Sequence, residues 1–147
     1  MRRWCSWLGA ALLVSLGGCQ PTAEQPPAQE ITLHLAQREA TPTLQEMQDR
    51  EGRSWWIEKQ AQLCCQDFRS AELMLEEDNA PMVVVHLSDD ASTRLATLTR
   101  ENIGQVMAVL VEGELLIAAT VMSEISGGQL ALRGFPSVEQ AQRLIGR

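Results

Sequence analysis

Between Pro81 and Phe135 the chain reads PMVVVHLSDDASTRLATLTRENIGQVMAVLVEGELLIAATVMSEISGGQLALRGF, and this stretch limits the fold more than any other part. Its apolar runs have strand length, and a single segment of helical period separates the first from the rest. Met82 to Leu87 is apolar on both faces, as a central strand must be. Ser88 and Asp89 are good helix N-caps, and Ala91, Leu95, Leu98 and Asn102 follow at helical spacing until Gly104 ends the helix. Gln105 to Val111 and Leu115 to Met122 are two strands joined at Glu112-Gly113, a two-residue hairpin turn. Leu130 to Leu132 is another short strand. Ser137 caps a last helix with Gln140 in a capping box and a buried stripe of Val138, Ala141, Leu144 and Ile145. The order is βαβββα, with helices packed on one face of a mainly antiparallel sheet, class α+β.

Upstream, Ile31, Leu33 and Leu35 alternate and predict a strand, which places His34 on the opposite, wetter face. Arg38 to Arg53 is polar and reads as an excursion with a short helical turn around Leu44 to Gln48. Trp55-Trp56-Ile57 favours β structure, with the tryptophans as core and edge packing rather than a ligand platform. Asp67 to Glu76 predicts a further strand, ending at the polar turn Glu77-Asp78-Asn79.

The first 19 residues are of another kind. Arg2 and Arg3 precede an apolar run from Trp7 to Leu16, which is the layout of a secretory signal peptide over residues 1–18 and too short for a stable span of about 20 residues. Leu16-Gly17-Gly18-Cys19 resembles the bacterial lipobox, and that resemblance implies that Cys19 becomes the lipidated first residue after cleavage. Anchoring by several acyl chains is strong, since each buried methylene contributes about 0.8 kcal/mol. Gln20 in the next position implies the outer membrane in a host with two membranes. Gln20 to Glu30, with three prolines and little to bury, reads as a flexible tether able to span roughly 30 Å. Residues 31–147 form the single periplasmic domain.

Past the leader the chain carries 10 basic and 19 acidic side chains, a net charge of −9, which argues against nucleic acid as a partner. Of four cysteines, Cys5 leaves with the leader and Cys19 takes lipid. Cys64 and Cys65 remain; a vicinal disulfide and two separate thiols are the leading alternatives, with intermolecular pairing and soft-metal binding behind them. The sequence holds no Walker loop, no Gly-x-Ser-x-Gly, no His-Glu-x-x-His and no Cys-x-x-Cys, so no catalytic residue, cofactor or metal is assigned. His86 has no evident partner and reads as structural. Glu76-Glu77-Asp78 reads as a solvated turn, and Asp89-Asp90 as carboxylates favoured at a helix N-terminus. Ser126-Gly127-Gly128 reads first as a flexible connection, and it is the candidate partner-binding loop because its backbone donors are free of large side chains.

From Asp67 to Ile145 the ordered pieces resemble the first periplasmic head subdomain of the SecD and SecDF translocation components. They are Pro81 to Val85, the Leu98 to Gly104 helix end, the Glu112-Gly113 hairpin, Gly127-Gly128, and Gly134-Phe135 ahead of Val138-Glu139-x-Ala141. The resemblance implies a ferredoxin-like fold and contact with unfolded polypeptide. Ala119 departs from it, standing near the point where the family usually has Pro. What it implies here is the fold and a surface for a polypeptide or an envelope protein, without the proton-driven motor. The expected function is a non-catalytic, lipid-anchored binding module. The alternative is a structural envelope lipoprotein that binds one partner or itself, and an enzyme would require His34 or His86 to meet a carboxylate in a pocket.

Overall fold

A computed structural model describes residues 24–146. The leader over residues 1–18 and the lipid site at Cys19 lie outside them. In chain order the elements are β1 (Ile31–Gln37), β2 (Gln45–Gln48), β3 (Ser54–Ile57), a 3₁₀ turn (Cys65–Asp67), β4 (Phe68–Leu75), β5 (Pro81–Leu87), α1 (Asp89–Glu101), β6 (Val106–Val111), β7 (Glu114–Thr120), β8 (Gln129–Leu132) and α2 (Val138–Leu144). The class is α+β, and the βαβββα order expected from Pro81 onward is present. All strand pairings are antiparallel. The strands divide between a five-stranded sheet, β2-β3-β1-β6-β7, and a three-stranded sheet, β4-β5-β8.

The main core explains this partition. β5 turns Val83, Val85 and Leu87 inward beside Phe68 and Leu132, the helices add Ala91, Leu95, Ala141 and Leu144, and the large sheet adds Ile31, Leu33, Met107 and Val109. A second, smaller cluster of Ala36, Trp55, Ile57, Ala108, Leu110 and Leu115 lies on the other face of the large sheet. β6 is therefore buried on both sides, and this is why its apolar run does not alternate.

Local chemistry fixes the element ends. The Ser88 hydroxyl accepts from the Ala91 N–H at 3.3 Å, and Asp89 and Asp90 occupy the first turn of α1. Glu112 and Gly113 both adopt positive φ, 51° and 78°, as the tight β6–β7 turn requires. Strand β2 stands where a helical turn was expected. Its residues, Gln45 to Gln48, bury almost nothing and show no period, so the hairpin is set instead by the turn that follows. There the Asp49 carboxylate accepts from the N–H groups of Glu51 (3.0 Å) and Arg53 (2.9 Å).

His34 is a correction. It is 7% exposed, its Nδ1–H donates to the Glu58 carbonyl at 2.7 Å, and Nε2 accepts from the Thr32 hydroxyl at 3.0 Å. The face expected to be wet is covered by the chain that follows β3. The polar segment before β1 also holds to the domain at its end: Ala28 N–H donates to Leu144 O (2.8 Å), and Glu30 N–H donates to the Glu112 carboxylate (2.6 Å).

Candidate functional site

Strand β7 is an edge of the large sheet and β8 an edge of the small one, and between them lies an apolar groove of about 290 Å³. Its floor is core: Leu33, Met107 and Val109 from the large sheet, Leu130 and Leu132 from the small. Its walls are Ile117, Ala119 to Met122, Ser123 and Ile125, and among the described residues no charged side chain lines it. Met122 stands at the mouth, 81% exposed, and Ile103, 56% exposed, lies nearby at the end of α1, where Gly104 N–H donates to Val121 O at 2.8 Å. Met122 and Ile103 therefore extend the apolar lining of the cleft onto the surface rather than standing alone.

The segment from Ser123 to Gly128 closes one end of the groove, and it is fastened rather than loose. Ile125 N–H donates to the hydroxyl of Thr99 at 2.9 Å, and that hydroxyl donates in turn to Leu95 O at 2.7 Å. Gly128 O accepts from Leu87 N–H at 2.9 Å, and a Cβ on Gly128 would meet the Ser92 hydroxyl at 3.3 Å. Glu124 lies 3.8 Å from Arg100. Of the candidate loop, Ser126 and Gly127 are exposed and border the groove without lining it, whereas Ser123 and Ile125 do line it. Thr99, fully buried, was missed by sequence reasoning; a threonine on the apolar face of a helix is the available signal.

A larger hollow, about 500 Å³, lies at the other end of β7. It has polar walls, Asp49, Arg50, Glu112, Glu114, Gln140 and Arg143, over Leu115, Leu116 and Phe135. Arg50 reaches across it to donate to Gly134 O, while Trp55 Nε1–H donates to Asp49 Oδ2 at 2.9 Å and Arg53 Nε–H donates to the same oxygen at 2.7 Å. Partial burial pushes the Asp49 carboxyl up, but the hydrogen bonds from Trp55 and Arg53 and the Arg53 charge outweigh it and hold the pKa at about 2. Asp49 is thus satisfied by Trp55 and Arg53, and Arg50 braces the hollow from β2–β3 to Gly134.

The remaining candidates do not converge on the groove. Cys64 and Cys65 are exposed free thiols at the 3₁₀ turn, and no disulfide joins them in this structure. His86 lies 3.7 Å from the Glu72 carboxylate on β4, too far for a hydrogen bond, and its Nε2 is buried without a partner. Neither His34 nor His86 lines either hollow. Among the described residues no three His, Cys, Asp or Glu side chains converge as a metal set, and no helix is long and apolar enough to cross a membrane.

The fold is that of solved SecDF structures. One, of a membrane component SecDF that enhances protein export, superimposes with a TM-score of 0.65 at 18% identity, covering 90% of this chain and 70% of that one. Another, of SecDF in a super-membrane-facing form, gives 0.66 at 18% identity over 82% of this chain and 18% of its own. These define the class, an α+β head-type domain. The family is shown by sequence: the SecDF P1 head subdomain matches residues 41–146, and the chain belongs to that family. The translocase subunits SecD of Acidaminococcus fermentans and of Leptotrichia buccalis are 27% and 33% identical over 78 and 77 residues, covering 53% and 52% of this chain. The chain spans about a fifth of the length of these relatives, 19% in each case.

Proposed function

We propose that this protein is a non-catalytic envelope lipoprotein, anchored by lipid on Cys19 and facing the periplasm, whose head domain holds polypeptide in a process linked to protein export. The outer membrane is its place in a host with two membranes. The observation that carries the reading is the uncharged groove between β7 and β8 with Met122 at its mouth, in a domain of the SecDF head family. Methionine adapts its shape to varied apolar partners, which suits a site that meets many sequences. Nothing in this role asks for a cofactor, a metal or a nucleic acid.

A photo-crosslinking residue at position 122 of the full chain, in native envelopes, tests the reading. The expected result is a ladder of adducts with many exported proteins, absent when the same residue replaces exposed Glu51 on the β2–β3 turn. One discrete adduct favours the structural lipoprotein with a single partner, and no adduct at either position sinks polypeptide holding. The anchor has its own test: Cys19→Ser should accumulate unprocessed precursor without label from radioactive fatty acid, and label retained in that variant refutes lipidation at Cys19. For Cys64 and Cys65, a mass difference of two hydrogens between envelope-isolated and reduced protein would establish the vicinal disulfide.

A further inference from the structure

The groove is bounded by strand edges as well as apolar side chains, and the edges tell how a polypeptide would be gripped. Val121 N–H donates to Gln105 O at 2.8 Å, beside the pair Thr120↔Val106. Antiparallel alternation then turns the N–H and C=O of Ala119 toward β6, and those of Ala118 and Thr120 toward the open edge. Opposite, Gly128 O accepts from Leu87 N–H, so Leu130 and Leu132 pair inward with β5 and Ala131 turns its groups outward. Among the described residues no backbone hydrogen bond crosses between β7 and β8. Exposed edges are normally blunted by Lys, Pro or an inward charge, and Leu115 to Thr120 carries none of these.

We infer that the groove takes one extended polypeptide strand by β-addition to the free edge of β7, with alternate side chains seated on Val109, Met107 and Leu132. This rests on the polypeptide-holding reading above and names its mode. An extended strand offers backbone groups every second residue to one edge and side chains at the same period to one face, and the groove supplies both counterparts. The occupant is apolar at alternate positions, to match an uncharged lining. Its flanks are basic, to match a chain that carries a net −9 beyond the leader and whose nearby Arg100 and Arg133 are already paired with Glu124 and Glu76.

The test uses the full chain in lipid nanodiscs and a labelled ten-residue peptide of alternating Val and Thr with Lys at both ends, read by fluorescence anisotropy against empty nanodiscs. N-methylation at one alternate set of residues should weaken binding about tenfold or more, and at the other set less than about threefold, because only one set faces the edge. Thr120→Pro deletes an outward donor and should weaken binding to a similar extent, whereas Thr120→Val keeps the N–H and should bind as the parent does. A thermal melt of Thr120→Pro checks that it folds; if it does not, the two methylation registers decide alone. Equal binding by both methylated registers overturns β-addition and leaves polypeptide holding intact. No binding by any peptide, together with no adduct at position 122, overturns both. A chain that dimerises through this edge, with Thr120→Pro monomeric, makes a second copy the occupant and also overturns the inference.

Discussion

The two hollows beside β7 share a strand and differ in almost everything else. The larger is crossed by Arg50, which donates to Gly134 O and reaches Gln140 at 3.4 Å; the smaller is uncharged and opens onto core residues. Size would choose the first as a binding site, while the proposed polypeptide holding rests on the second. Near Leu116, whose carbonyl lies 3.6 Å from where a Cβ of Gly134 would stand, the edge is occupied; beyond it, from Ala118 to Thr120, no described residue pairs with it. An edge is thus protected at one end by the protein's own backbone and left open at the other. The contrast predicts that substitutions at the braced end act on stability, and those at the open end on partners.

Leu132→Ala should be the most damaging change. Leu132 is 1% exposed, packs in the main core and floors the groove, so its removal should cost about 3 kcal/mol in urea unfolding. Next, Thr99→Val keeps the shape of the side chain but leaves Ile125 N–H without an acceptor, at a cost of about 2 kcal/mol. Hydrogen exchange should localise this loss to the Ser123–Gly128 segment. Unchanged protection there would mean that the loop is held by something other than Thr99, and the groove would lose its fixed end wall.

At the braced end, Trp55→Phe removes the indole donor to Asp49 and should cost about 1 kcal/mol. Asp49 adds a pH signature. Its folded pKa is lowered from the ordinary 3.8 to about 2, so its contribution is complete above the ordinary value and is lost as pH falls through about 2. Melting temperatures taken between pH 5 and about 2 should therefore fall more in the wild type than in Asp49→Asn. Parallel curves would show that the carboxylate is not what organises the β2–β3 turn.

Much of the fold was legible because its signals are local. The Ser88 cap, the Glu112-Gly113 turn and the Ala91–Leu95–Leu98 stripe each specify an element within a few residues, and each is found where it was expected. Strand β2 was not legible, since Gln45 to Gln48 gain their conformation from Asp49 and from pairing with β3, not from burial. The groove was not legible either. Apolar runs of strand length and the Glu112-Gly113 turn say that β7 and β8 are strands but not that they enter different sheets, and that separation is what opens the cleft. His34 misled in a related way: alternation in β1 assigns it a face, and only the tertiary fold decides that the Glu58 backbone covers that face.

Met122→Ser is expected to have the smallest effect on stability and is the sharpest test of the contrast. At 81% exposure the side chain gives up little on unfolding, and the change should lie within about 0.5 kcal/mol. If the open end of β7 meets partners, the same substitution should weaken peptide binding in the nanodisc assay several-fold by removing apolar area at the mouth of the groove. The matching change at the braced end, Leu116→Ser, exposes a half-buried residue beside Gly134 and should lower the melting temperature while leaving peptide affinity nearly unchanged in the protein that remains folded. If the two variants exchanged these behaviours, the division of labour along β7 would be reversed, and the polar hollow would become the place to look for a ligand.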